Sequence, residues 1–190
     1  MDQARAAGQT ESGQIRRSLQ SQAQPAFGKT NPRRGRNAHA VAPVKTYFDT
    51  SYLVALYVPN DHTAAALRHR ERSGPEPILF TPLHRLELRT TVRQCAHSRL
   101  IGQEDARQIL RHIEEDLDDG TLLHEPIEWT KSLRQAELVA ERRGWTMTCR
   151  SLDLWHLAVA LASEMVALVT FDQDQLALAL AEGLQALTPP

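Results

Sequence analysis

The chain has 190 residues and a mass of 21.3 kDa, with 42% hydrophobic and 24% charged residues, which suits one soluble domain with its own core and an added tail. A formal net charge of −1 and a pI of about 6.7 exclude a whole-chain polybasic binder of nucleic acid or membrane. No apolar run is long enough to span a bilayer, and the opening MDQARAAGQTESGQIRR lacks the apolar stretch of a secretory signal.

Met1 to Pro43 is rich in Gln, Ala, Arg, Gly and Ser and has no sustained apolar periodicity, so it is expected not to fold alone. Arg5, Arg16, Arg17, Lys29, Arg33, Arg34 and Arg36 face only Asp2 and Glu11, which makes the segment basic and leaves residues 44–190 acidic. The Arg33, Arg34 and Arg36 cluster suits RNA or an acidic partner, but a solvated disordered tail is the preferred reading. A start-site artefact is a third reading, with Val44 at the true initiation site. The domain boundaries are thus residues 1–43 for the tail and 44–190 for the folded part.

From Val44 the pattern alternates between short apolar runs and amphipathic stretches. Val44–Phe48 predicts a strand, followed by helices over Ser51–Val58 and Asp61–Arg72. Pro77–Phe80 is a short strand. Thr81 and Pro82 then supply an N-cap and a first-turn proline for a helix reaching about Ser98. Ala106, Ile109, Leu110, Ile113 and Leu117 recur at helical spacing over Gln103–Asp118, and Gly120 stops that helix. A brief strand at Thr121–His124 precedes a helix over Glu128–Arg143, with Trp129, Leu133, Ala136 and Ala140 on one face. Ser151 is expected to cap a helix over Leu152–Ser163. A buried strand at Val166–Thr170, a short helix at Asp174–Ala181 and a last strand near Leu184–Leu187 complete the chain. Strands alternating with helices predict an α/β domain on a parallel sheet.

In such a sheet, sites form beyond the carboxyl ends of the strands. Asp49 follows the first strand, with Thr50 and Ser51 after it. Phe171, Asp172, Gln173 and Asp174 follow Val166–Thr170. Glu87 lies early in the helix after the P-I-L-F strand, and Asp153 lies in the first turn of the helix before Val166. Taken singly, Asp49 reads as a helix cap, Asp153 as a first-turn acid complementing the helix dipole, Asp174 as an N-cap and Glu87 as a solvent-facing residue. Taken together, four segments bring carboxylates to one end of the sheet. Gathered acids repel one another, and a hard divalent cation relieves that repulsion.

The stretches YFDTSYLVALY, LHRLELRTTV, RSLDLWHLAVALA and ALVTFDQDQ, in this order, resemble the successive motifs of the PIN domain, and within it the VapC-type toxin ribonucleases. The resemblance covers about Val44 to Leu187. It implies a three-layer α/β/α sandwich with a mainly parallel central sheet, cleavage of RNA with Mg²⁺ or Mn²⁺, homodimerisation and inhibition by a small cognate antitoxin in the cytoplasm. It implies that Asp49, Glu87, Asp153 and Asp172 form the acidic metal site, that Ser51 and Thr170 support it, and that Asp174 matches a less constant acid.

Around these residues the reading stays open. His156, three residues after Asp153, either orients an acid, touches substrate or is a packed, hydrogen-bonded histidine, the last being preferred. Arg85, Arg89 and Arg93 form a basic stripe beside Glu87, suited either to RNA phosphates or to ion pairs on a solvated face. Cys95 and Cys149 form no CxxC pair, which argues against a disulfide framework or a cysteine-built zinc site. The place of a second phosphatase aspartate holds Ser51, and neither a dinucleotide fingerprint nor a P-loop is present. A non-catalytic protein-binding module and a DNA-directed metal nuclease are the remaining alternatives.

Overall fold

The computed structural model describes residues 45–190. The expectation of a disordered basic tail falls on residues 1–43, outside the described residues. Chain order is β1 (Thr46–Phe48), α1 (Thr50–Tyr57), α2 (Thr63–Ser73), β2 (Ile78–Phe80), α3 (Pro82–His97), α4 (Gln103–Asp118), β3 (Leu122–His124), α5 (Trp129–Arg143), α6 (Ser151–Ala162), β4 (Ala167–Val169), α7 (Gln173–Ala181) and β5 (Gln185–Leu187).

All strand pairings are parallel. β4 lies between β1 and β5, with Tyr47 opposite Leu168 and Leu168 opposite Ala186. β2 pairs with β3, Leu79 opposite Leu123, and packs beside β1. The hydrogen-bonded ladder therefore breaks between β1 and β2, giving a three-stranded and a two-stranded sheet.

Alternation along the strands builds two cores. Phe48 and Val169 join Tyr52, Leu53, Ile78, Phe80, Leu88, Val92 and Ile113 on one face, served by α1 to α4. Tyr47 and Leu168, their immediate neighbours, join Leu157, Val159, Leu178 and Val139 on the other, served by α5 to α7. A strand shows successive side chains to opposite faces, so two helical layers enclose the strands and the expected α/β/α sandwich is present.

The capping of the helices follows local chemistry. Thr81 accepts from the His84 amide while His84 Nδ1 accepts from the Thr81 amide, a reciprocal cap ahead of Pro82. Gly120 takes φ +80° at the exit of α4, a conformation that glycine reaches without a Cβ clash.

Two local expectations are corrected, and one burial pattern is added. Arg150, not Ser151, is the N-cap residue of α6, and its side chain makes no cap bond because it is drawn to two carboxylates. The cap of α7 is Asp172, two residues earlier than Asp174. On α5 the buried residues are Ser132 and Val139, whereas Trp129 and Leu133 are 47% and 50% exposed. Small side chains face inward where α5 packs along α6, and Trp129 lies edge-on against Trp155 at the rim, ring centroids 4.9 Å apart.

Candidate active site

Asp49, Asp153, Asp172 and Asp174 sit where a parallel strand ends or a helix begins, and Glu87 sits one turn into α3. Asp49 leaves β1 and caps α1. Its Oδ1 accepts from the Ser51 amide at 2.7 Å, the Tyr52 amide at 3.2 Å and the Ser51 hydroxyl at 2.6 Å. Its Oδ2 accepts from the Thr170 hydroxyl at 2.7 Å. Asp49 is nearly fully buried, and burial pushes its carboxyl above the ordinary value against the pull of Ser51, His156 and Thr170.

Thr170 and Ser51 knit β1 to β4. The Thr170 hydroxyl also accepts from the Asp172 amide at 2.9 Å, and Ser51 Oγ accepts from the Phe171 amide at 2.8 Å. Asp172 is thereby set at the head of α7. Its Oδ1 takes the amides of Asp174 and Gln175 at 2.9 and 3.0 Å. Its Oδ2 takes Arg150 Nη2 at 2.5 Å. Burial alone would raise the Asp172 carboxyl, but the two amides and Arg150 hold it below the ordinary value. Arg150 also reaches Asp153 Oδ2 through Nε at 2.7 Å, an i, i+3 contact across the first turn of α6. Asp174 contributes its amide to this cap, while its side chain is exposed.

Glu87 projects from the second turn of α3. Its Oε2 accepts from the Thr50 hydroxyl at 2.6 Å and meets His156 Nε2 at 2.5 Å. Burial alone would raise the Glu87 carboxyl; the hydrogen bond and charge of His156 and the Thr50 hydroxyl carry it below the ordinary value. Because a carboxylate can only accept, His156 Nε2 carries a proton. The other ring nitrogen lies 2.7 Å from the buried Tyr47 hydroxyl. His156 thus stands fixed between a core tyrosine and an acid, while Tyr47 and His84 pack against its ring.

Three of the acids are linked through shared partners, and Glu87 belongs to a second hydrogen-bonded set that starts at Thr50, the residue after Asp49. Asp49 connects through Thr170 to Asp172, Asp172 through Arg150 to Asp153, and Glu87 through Thr50 and His156 to the mouth of β1. Ser51 and Thr170 both serve Asp49 directly. Arg85 and Arg89 instead turn to α4. Arg85 forms a two-oxygen pair with Glu114 at 2.9 and 3.0 Å, and Arg89 pairs with the same carboxylate. Arg93 donates to the Arg89 carbonyl at 2.8 Å.

Sequence reasoning did not assign roles to Thr50, Tyr47 or Arg150. Thr50 was within reach, lying between Asp49 and Ser51. Arg150 carried a signal too, since it stands three residues before Asp153 at a helix start. Tyr47 carried none, because an apolar strand residue gives no sign of what its hydroxyl meets.

Among the described residues, no group of three or more His, Cys, Asp or Glu side chains is arranged to hold a metal ion. The donor chemistry nevertheless fits a hard divalent cation. All four acids offer oxygen, and Glu87 Oε1 and Asp153 Oδ1 accept no hydrogen bond among the described residues. A guanidinium also bridges two of the acids, showing that this end of the sheet accommodates positive charge.

The chain thus has a parallel α/β fold with carboxylates placed beyond its strand ends. The model of the PIN domain matches residues 46–181, and the chain belongs to the PIN domain family. PIN domains are generally nucleases that use divalent metals. Among solved structures, the chain is similar to the sarcin-ricin loop cleaving toxin VapC20 of Mycobacterium tuberculosis, at 17% identity over 76% of this chain and 99% of that one, with a TM-score of 0.55. It is also similar to FitAcB from Neisseria gonorrhoeae, at 15% identity over 75% of this chain and 96% of that one, with a TM-score of 0.55. At these identities the likeness is one of fold. None of the curated proteins compared matches the chain in sequence. No helix among the described residues is long and apolar enough to cross a membrane.

Proposed function

We propose that the protein is a divalent-metal-dependent endoribonuclease and the toxin of a toxin–antitoxin pair. The observation that carries this reading is the linkage of Asp49, Asp172 and Asp153 through Thr170 and Arg150 at one end of a PIN-type sheet, with Glu87 held by Thr50, the residue next to Asp49, and by His156. Asp49, Asp153 and Asp172 would hold Mg²⁺ or Mn²⁺, with Glu87 completing the set.

When bound, such an ion supplies a water of lowered pKa and screens the charge that develops on a scissile phosphate. The chain's own residues do the positioning. Ser51 and Thr170 fix both oxygens of Asp49, and the α1 amides hold it at the strand end. The Thr170 hydroxyl also sets the Asp172 backbone, so one side chain orients two acids. His156 and Thr50 share one oxygen of Glu87, Oε2, and Oε1 accepts no hydrogen bond among the described residues. Hydrolysis assisted in this way yields a 5′-phosphate product.

The substrate is RNA and the working compartment is the cytoplasm. The protein acts as a homodimer and is silenced by a small antitoxin. Ribosomal RNA belongs among the substrates to test because the fold is shared with a toxin that cleaves the sarcin-ricin loop. The test is cleavage of total RNA and of a transfer-RNA pool by antitoxin-free protein with Mg²⁺, Mn²⁺ or chelator, beside Asp153→Asn. Metal-dependent cutting that disappears in the variant and with chelator supports the reading. Folded, metal-loaded protein that cuts DNA alone, or binds a partner without cutting anything, replaces it with one of the two alternatives.

A further inference from the structure

We propose that Arg150 is a tethered counter-cation that holds the place of the divalent ion between Asp153 and Asp172 and must be displaced for that ion to bind. This inference rests on the metal-site reading above and goes beyond it by assigning the competitor to the chain itself.

The argument begins with the oxygens of Asp172. Oδ1 is committed to capping α7, where it accepts two amides at 2.9 and 3.0 Å. Oδ2 is the oxygen left for any other cation, and Arg150 Nη2 holds it at 2.5 Å. A metal that uses Asp172 without unravelling the cap therefore competes with Arg150 for one atom. Asp153 adds to the competition, because its Oδ2 accepts Arg150 Nε at 2.7 Å. Two nitrogens of one planar guanidinium thus span two carboxylates from different elements, a task suited to the arginine fork and not to a point charge.

The energetics favour a holder that can leave. One positive charge lies beside two negative ones, so the pair of acids is only half neutralised. A divalent ion completes the neutralisation and has twice the charge to offer. Arg150 is meanwhile 60% exposed, whereas Asp153 and Asp172 are 15% and 30% exposed. The solvent-facing guanidinium loses little on release, since exposed ion pairs are weak. Its backbone stays in place as the N-cap residue of α6, and its side chain makes no cap bond that would resist the movement. In the metal-free protein the bridge prevents the two acids from repelling each other; with metal present the bridge is redundant.

The test uses full-length protein stripped of metal by chelator and dialysed. Mn²⁺ is titrated calorimetrically at low salt into wild type, Arg150→Gln and Arg150→Lys. Displacement predicts about three- to ten-fold tighter Mn²⁺ binding in Arg150→Gln. It also predicts tighter binding in Arg150→Lys than in wild type, because an ammonium retains the charge but not the two-nitrogen span. In parallel, the Arg150 Nε–H resonance, identified by its loss in Arg150→Gln, is followed as Mg²⁺ is added. A slowly exchanging signal that becomes fast-exchanging on saturation supports displacement.

Equal or weaker Mn²⁺ binding in Arg150→Gln, with an Nε–H signal that Mg²⁺ does not move, overturns the proposal while leaving the metal site standing. Tighter binding in Arg150→Gln with Arg150→Lys equal to wild type overturns it as well, reducing the effect to net charge. Failure of wild type and both variants to bind Mn²⁺ overturns the metal-site reading and this proposal together.

Discussion

Glu87 and His156, 69 residues apart in the chain, meet through a 2.5 Å contact between Oε2 and Nε2. The contact joins α3 to α6 across the end of β1, and the Tyr47 hydroxyl behind the ring fixes which nitrogen faces the acid. His156 is therefore a positioning residue for Glu87. His156→Ala should lower Mg²⁺-dependent cleavage about 10- to 100-fold, the usual consequence of losing a partner that orients a metal-site acid. His156→Gln, which can still present an amide N–H, should recover part of that loss. Single-turnover rates and Mn²⁺ affinities of the two variants check this; equal defects in both would reduce the histidine to a packing role.

Thr170 has two bonds that no substitute keeps except serine. It is fully buried, donates to Asp49 Oδ2 and accepts from the Asp172 amide. Thr170→Val preserves shape but leaves a buried carboxylate oxygen and a backbone amide unmatched. The expected cost is about 1–3 kcal/mol, read as a lower urea midpoint at unchanged slope. Thr170→Ser should unfold nearer to wild type. A Thr170→Val midpoint equal to wild type would mean that water replaces both bonds.

Much of the fold was legible in the chain. The apolar runs announced the strands, Thr81-Pro82 marked the start of α3, and the acids placed after strands pointed to the end of the sheet where the candidate site lies. What escaped had physical reasons. Asp172 and Asp174 are both acceptable caps, and the choice between them depends on Thr170 holding the Asp172 amide from across the sheet. Which face of α5 is buried was not legible, since bulk alone does not decide it. Close packing against α6 favours Ser132 and Val139, and Trp129 finds its partner in Trp155 at the rim. The break between β1 and β2 leaves no trace in composition, since strand register is decided by neighbours distant in sequence.

Arg85 and Arg89 suited either RNA phosphates or ion pairs on a solvated face, and both are paired with Glu114. All three side chains are partly exposed, so the cluster should contribute less than about 1 kcal/mol to stability. Glu114→Gln should leave unfolding nearly unchanged while releasing two guanidinium groups beside Glu87. RNA affinity measured by fluorescence anisotropy should rise at low salt and return to the wild-type value at high salt. An unchanged affinity at low salt would remove both arginines from the substrate surface.

Asp116 offers a pH test outside the hydrogen-bonded sets of Asp49, Glu87, Asp153 and Asp172. It is buried on α4 and accepts the Tyr57 hydroxyl from α1. Burial raises its carboxyl above the ordinary value of 3.8, with the Tyr57 hydrogen bond opposing and the Asp119 charge adding to the rise. A carboxyl that binds its proton more tightly when folded contributes stability below its unfolded pKa and loses that contribution as pH rises through the folded value. At neutral pH, ionised Asp116 therefore burdens the fold. Asp116→Asn keeps an oxygen for the Tyr57 hydroxyl and removes the charge. Its melting temperature relative to wild type should climb as the pH is raised from about 4 to about 7. Thermal unfolding of both proteins across that range decides the matter: a difference that stays flat, or falls with rising pH, would show that Asp116 is stabilised as a carboxylate by its surroundings.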